Sequence, residues 1–224
     1  YAIAKNNLYI IDAYPATSAS IVSKIAFKSR PQDIFINGNY LVVYGADDQI
    51  AYTENYKIFS RQSNYTFLKV FDITDKKKPK QLRDLNFEGY YANSRMIGDY
   101  VYFVTNNYNY YYQDNEPIIP RVLENDKETT KGCAGQANAK CVLPDVYYFD
   151  MSYQSYNFTA VTAINVKNNS ETINQDIYLL SDSQNMYVSQ NNIYITYPKY
   201  ISEYQLYMEV MKEIVFPLLT SKDK

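Results

Sequence analysis

Residues 68–106 read LKVFDITDKKKPKQLRDLNFEGYYANSRMIGDYVYFVTN. An apolar run closes on Asp72, a polar turn follows, and a second run occupies residues 81–87. The stretch then ends in two alternating runs joined by Gly98-Asp99. Apolar residues recurring with period two, clearest in Tyr100-Val101-Tyr102-Phe103-Val104, mark a strand whose successive side chains point to opposite faces. A Gly-Asp pair between two such runs signals a tight hairpin. The turn needs a left-handed backbone, which glycine adopts without a steric penalty.

The same order of parts occurs twice more. Residues 8–45 read LYIIDAYPATSASIVSKIAFKSRPQDIFINGNYLVVYG, and residues 161–198 read VTAINVKNNSETINQDIYLLSDSQNMYVSQNNIYITYP. Each copy opens on an apolar strand closed by Asp12, Asp72 or Asn165. Each passes through a polar turn to a second strand at 21–27, 81–87 or 173–180. Each ends in a hairpin turning at Asn37-Gly38-Asn39, Gly98-Asp99 or Gln190-Asn191-Asn192. A repeated four-strand unit of about 40–45 residues is the pattern of a β-propeller blade. The predicted fold is all-β: an incomplete β-propeller of two full four-stranded blades and two partial ones, with one C-terminal α-helix. The full blades fall at 32–87 and 91–180, the partial blades at 1–27 and 184–197. A β-sandwich is the alternative for so many short strands. Two full and two partial blades do not close a ring of about 4–8. The remaining blades are expected from sequence beyond these residues, or else from another chain. The first residue is Tyr1 rather than Met, which fits a piece of a longer polypeptide.

Composition narrows the chemistry. Among 224 residues, 22 Lys and Arg stand against 24 Asp and Glu, so no polybasic field is available to hold nucleic acid. Histidine is absent, which excludes Ser-His and Cys-His relays and His-ligated metals. Two Cys cannot build a four-thiolate zinc site, and no Gly-rich phosphate loop is present. No apolar run reaches the ~18 residues of a membrane span. Tyrosine, by contrast, occurs 27 times.

Several stretches resemble one family in particular. They are Leu8-Tyr-Ile-Ile-Asp-Ala13, Pro31-Gln-Asp-Ile-Phe-Ile-Asn-Gly-Asn39, Leu68-Lys-Val-Phe-Asp-Ile-Thr-Asp75, Ser94-Arg-Met-Ile-Gly-Asp-Tyr-Val-Tyr-Phe-Val-Thr105 and Asp145-Val-Tyr-Tyr-Phe149. They look like the β-propeller domain of secreted prokaryotic proteins, and the second repeat also resembles LVIVD-type propeller repeats. The resemblance covers nearly the whole chain. It implies a propeller fold and a secreted or cell-surface location, and it carries no catalytic residues over.

Two insertions interrupt the repeats, at 46–66 and 107–157, each between the second and third strands of its unit. Because strands alternate in direction, both emerge at one face, beside the links 28–31 and 88–90. Long loops at one end of a rigid scaffold are where binding concentrates. The larger insertion carries Tyr108, Tyr110, Tyr111 and Tyr112, then Cys133 and Cys141, then Tyr147-Tyr148-Phe149. A tyrosine offers a rigid apolar ring with a polar tip, which suits a protein or saccharide partner. The competing reading folds the loop over the propeller, with its rings packed inside. Cys133 and Cys141, close together in a polar stretch, are expected to form a disulfide. Sequons at Asn64, Asn157 and Asn168 are the possible glycosylation positions.

Acidic side chains are the remaining catalytic material. Asp47, Asp48 and Glu54, or Asp114 and Glu116, are the weak candidates for Ca²⁺, though neither group has calcium-loop spacing; solvated loop charges are the plainer reading. No other cofactor or metal is expected. A glycosidase needs two facing carboxylates, for which Asp33 and Asp99 are available beside the inner hairpins. Asp12 and Asp72 recur at one repeat position, which argues for a turn rather than chemistry. Arg95 is expected to pair with a carboxylate between blades, and Lys76-Lys77-Lys78-Pro79-Lys80 to be a solvated turn. After the third repeat, Ile201, Tyr204, Met208, Met211, Ile214 and Leu218 recur at spacings of three and four, predicting a helix over 202–216 capped by Ser202 and ended by Pro217. The function these features favour is a noncatalytic extracytoplasmic binding or surface-assembly module. The alternative is a secreted hydrolase working through loop-face carboxylates.

Overall fold

A computed structural model describes residues 1–47, 64–108, 119–129, 144–149, 157–180, 185–189, 191–196 and 202–219, together with two short strand pairs. Strands β1 (Ala2–Ala4), β2 (Asn7–Asp12) and β3 (Ser20–Ala26) form a three-stranded antiparallel sheet. Next come β4 (Asp33–Asn37) and β5 (Tyr40–Asp47), then the short pair β6 (Glu54–Asn55) and β7 (Ser60–Arg61), then β8 (Tyr65–Asp72) and β9 (Lys80–Glu88). In the second sheet β4, β5, β8 and β9 are neighbours in chain order. A third sheet starts with β10 (Tyr90–Ile97) and β11 (Tyr100–Tyr108). The chain then makes the short pair β12 (Tyr112–Gln113) and β13 (Glu116–Pro117), followed by β14 (Val122–Glu124), β15 (Lys127–Glu128) and β16 (Asp145–Tyr147). The third sheet resumes with β17 (Asn157–Asn165) and β18 (Asn174–Leu180). A hairpin of β19 (Asn185–Val188) and β20 (Ile193–Thr196) follows. No sheet closes on itself among the described residues.

The hairpins form where the turn chemistry places them. Asn37 pairs with Tyr40 around Gly38-Asn39, and Ile97 with Tyr100 around Gly98-Asp99; Gly38 and Gly98 both have positive φ, 59° and 57°. The third repeat has no glycine there. Its hairpin closes instead at Val188 and Ile193 around a longer loop, in which Ser189 Oγ accepts from the backbone N–H of Asn192. The repeat extends to an irregularity. The β2–β3 register shifts at Ile10/Ile11 and the β8–β9 register at Val70/Phe71, which are matching positions of the two copies. At two of the three strand ends the recurring Asp or Asn makes a turn. Asp72 Oδ1 accepts from Thr74 N at 2.8 Å, and Asn165 Oδ1 accepts from Lys167 N at 3.0 Å.

The second sheet is buried on both faces, so its strands read as nearly continuous apolar runs. Val42, Tyr44, Leu68, Val70, Leu85 and Phe87 pack against Val101, Phe103 and Ile164 of the third sheet. The alternate residues Leu41, Val43, Phe67 and Phe71 pack against Leu8 and Ile10 of the first. Burying a side chain of this size stabilises by about 1.5–3 kcal/mol, so these two layers hold the three sheets face to face.

Parts of the larger insertion add to two sheets. The β14–β15 hairpin joins the outer edge of the second sheet, with Val122 opposite Phe87 and Glu124 opposite Leu85. β16 joins the outer edge of the third sheet, parallel to β18. At the C-terminus, α1 (Glu203–Val210) begins where Ser202 Oγ accepts from Gln205 N at 3.3 Å, the expected cap. The helical backbone then runs to Leu218 through a wider π-turn over Met211–Val215, so Pro217 lies inside the last turn rather than ending the helix before it. Widening the turn ahead of a proline relieves the clash of its ring with the preceding carbonyls. None of these helical residues is buried, so the apolar spacing does not correspond to a packed face among the described residues.

Candidate functional site

The insertions and the links between sheets meet at one end of the strands. Ser29 Oγ donates to Asp47 Oδ1 at 3.0 Å, joining the link after β3 to the end of β5. Gly89 N donates to Asn64 O at 2.7 Å, Thr66 Oγ1 donates to Gly89 O at 2.8 Å, and Asn64 Nδ2 donates to Tyr90 Oη at 2.6 Å. Gly89 has φ 121°, and a Cβ there would stand 2.7 Å from Asn106 O, so the second and third sheets approach through backbone that only glycine fits. Tyr108, 41% exposed, lies beside Tyr90 with ring centroids 6.0 Å apart.

Charged pairs pin the insertion to this end. Arg121, immediately before β14, donates from both its backbone N (2.9 Å) and Nε (3.3 Å) to Glu88 Oε2, and both residues are buried. Arg83 Nε donates to Glu124 Oε1 at 2.8 Å. Beyond the hairpin, β16 builds an aromatic and acidic strip along the outer edge of the third sheet. The parallel register sets Asp145 opposite Asp176 and Tyr147 opposite Tyr178. The two rings stack at 5.3 Å with 23° between their planes. Tyr148 follows, 74% exposed, and Val146 and Phe149 are also exposed. The field of Asp145, then that of Asp176, raises the Tyr147 pKa; Tyr178 is raised by burial first and by Asp176 second. Like charges facing across two strands are unfavourable by themselves, so the strip is a local negative pole with aromatic walls.

The candidates read from the sequence distribute as follows. Tyr110, Tyr111, Asp48, Asp114, Cys133 and Cys141 lie outside the described residues, as do the side chains of Tyr112, Glu54 and Glu116. Asn64 and Asn168 are exposed, and Asn168 Oδ1 accepts from Ser170 Oγ at 2.7 Å. Asn157 is 7% exposed between β11 and β18, a position with no room for a glycan on the folded chain. Asp33 starts β4, whereas Asp99 accepts from Asn37 at the other end of that strand, at 3.0 Å, and pairs with Lys167 at 2.7 Å. Four residues of strand separate them by about 13 Å, more than the ~5–9.5 Å of a glycosidase pair, so these two carboxylates do not converge. Among the described residues no three acidic or Cys side chains gather as metal ligands. Arg95 is exposed and makes no ion pair among the described residues, so the expected pairing between blades is absent; its strand directs it to solvent. Lys76, Lys77, Lys78 and Lys80 are exposed, as a solvated turn requires.

Antiparallel meanders that pack face to face, each opened by a tight hairpin and lengthened by loops at one end, define a β-propeller type of architecture. The chain matches the family described as "Beta propeller domain" over residues 1–217, and it belongs to that family. No curated protein matches it, and no solved structure does. Membership supports a binding or assembly module in general terms. Among the described residues, no helix is long and apolar enough to cross a membrane.

Proposed function

We propose that this chain is part of an extracytoplasmic propeller domain that binds a protein partner through the strip built by its larger insertion. In this reading the second and third sheets are each a whole blade. The first sheet is the last three strands of a preceding blade, and β19–β20 is the first two of a following one. The carrying observation is the Tyr147–Tyr178 stack beside the opposed Asp145 and Asp176, with Tyr148 standing free of the sheet. Rigid aromatic rings supply contact area at low entropic cost, and a local negative pole selects a partner surface bearing Lys or Arg.

The test places a photo-crosslinking amino acid at Tyr148, and at the equally exposed Tyr187 as a control, in cells that produce the protein. A discrete adduct at position 148 that Asp176→Asn weakens supports the reading. Identical adducts at both positions, or none at 148, count against it. The extracytoplasmic location rests on the family resemblance and on the expected Cys133–Cys141 bond. Intact mass should rise by about 2 Da on reduction.

A further inference from the structure

Between the first and second sheets, beside their outer strands, lies a cleft of about 380 Å³. That is within the roughly 300–1,000 Å³ of small-molecule sites. Phe27, Phe67 and Phe71 form its apolar floor: Phe27 stacks on Phe67 at 5.8 Å and meets Phe71 edge-on at 6.0 Å. Its outer wall is Gln81, Asp84 and Asn86 of β9. On the same strand the alternate residues Leu85 and Phe87 fill the core against the third sheet, so the polar character belongs to one face only.

Two acceptors of that wall have no hydrogen-bond partner among the described residues: Asp84 Oδ1 and Asn86 Oδ1, both buried. Asn86 is 3% exposed. Buried acceptors are costly unless water or a ligand donates to them, so the wall of the cleft is suited to receive a donor. The charges around them narrow which donor. Lys69 pairs with the other oxygen of Asp84 and lies over the Phe67 ring, and Lys28 lines the cleft as well, so a cationic ligand would face two ammonium groups. Asp47, Asp84 and Asp126 disfavour an anion. The lining thus mixes donors with acceptors around an apolar floor. A neutral group that both donates and accepts fits it, as the hydroxyls of a sugar do.

We propose that this cleft binds one pyranose-sized unit of a saccharide. Its hydroxyls donate to Asp84 Oδ1 and Asn86 Oδ1 and accept from Gln81 and Lys28, while its C–H face rests on the half-buried Phe27 ring. The site is separate from the strip of the third sheet and does not depend on it.

The test is saturation-transfer NMR and calorimetry on the 224-residue chain, with glucose, galactose, mannose and N-acetylglucosamine as probes and putrescine as the cationic comparison. At least one sugar is expected to bind with a dissociation constant of about 1 mM or tighter. Asn86→Leu should weaken it about tenfold or more while leaving the thermal midpoint unchanged or higher, because an unmet buried acceptor has been replaced by an apolar group of similar size. Gln81→Ala changes an exposed residue and should weaken binding roughly threefold with the fold intact, which decides the matter if Asn86→Leu fails to fold. Binding of none of the four sugars, binding of putrescine alone, or sugar binding that both variants leave unchanged would overturn the proposal.

Discussion

Removing Glu124 should unfold this domain far more readily than its place in a short edge hairpin suggests. The side chain accepts from Arg83 Nε at 2.8 Å, and the Arg83 side chain is only 2% exposed. Glu124→Leu therefore strands a guanidinium where water cannot reach it, at a cost of about 3–5 kcal/mol. Arg83→Met is milder: it strands a carboxylate that is 13% exposed and can take up water, and about 1–3 kcal/mol is expected. The double variant replaces the pair with apolar groups of similar volume, which is often close to neutral. It should fall short of the sum of the single costs by about 4–8 kcal/mol. For a chain of this length each kcal/mol moves the thermal midpoint by about 2–4 °C, so Glu124→Leu alone should lower it by roughly 6–20 °C. Urea unfolding of the four proteins followed by circular dichroism measures the cycle. Additivity within about 0.5 kcal/mol would refute the reasoning, because the two charges would then not act as a unit holding β14 to β9.

Gly89→Ala should destabilise by about 1–3 kcal/mol, since its φ of 121° and the 2.7 Å approach to Asn106 O both resist a Cβ. Gly38→Asn should be tolerated, because that turn has nothing within 4 Å and asparagine accepts its φ of 59°. Burial raises the Tyr44 pKa above its ordinary value, so the unfolded chain ionises first: stability is intact below about pH 10 and falls as pH rises beyond it. An absorbance titration at alkaline pH should show one tyrosine ionising only together with unfolding, and Tyr44→Phe should remove that step. The Thr74 hydrogen bonds depress the Asp72 pKa, and Lys167, then Asn37, depress that of Asp99. Their stabilisation is present above the unfolded value of about 3.9 and is lost as pH falls through the lower folded values. Acid unfolding of Asp99→Asn should accordingly be less steep than that of the wild type.

What the sequence made legible follows from period and turn chemistry. Gly38 and Gly98 sit at the tight turns because few other residues take that backbone, and the alternation in Tyr100–Val104 fixed which faces meet. Even the shared register shift falls at equivalent positions, Ile10/Ile11 and Val70/Phe71. The insertion was less legible because β14, β15 and β16 have only two or three residues each, too few for a period to show. One signal was present: Asn125 and Asp126, with φ of 52° and 62°, are the turn residues of a hairpin. Nothing in the sequence singles out Arg83 and Arg121, since burial of an arginine depends on a carboxylate supplied from elsewhere in the chain. Asp84 and Asn86 likewise alternate with Leu85 and Phe87 as a solvent face would, and only the first sheet turns that face into a cleft. Asp33 and Asp99 look alike in sequence, and strand direction puts them at opposite ends.

The β14–β15 hairpin has a consequence for the order of assembly. β9 ends at Glu88, yet its outer neighbour is not synthesised until residue 128, after β10 and β11 have already been made. During synthesis the second sheet would wait with one edge open and with Phe87 lacking its partner Val122. The second sheet therefore borrows from the following unit to finish itself, and these two units mature jointly rather than in single file. Exchanging one repeat for another, or dividing the chain between them, would separate a sheet from the strand that seals it.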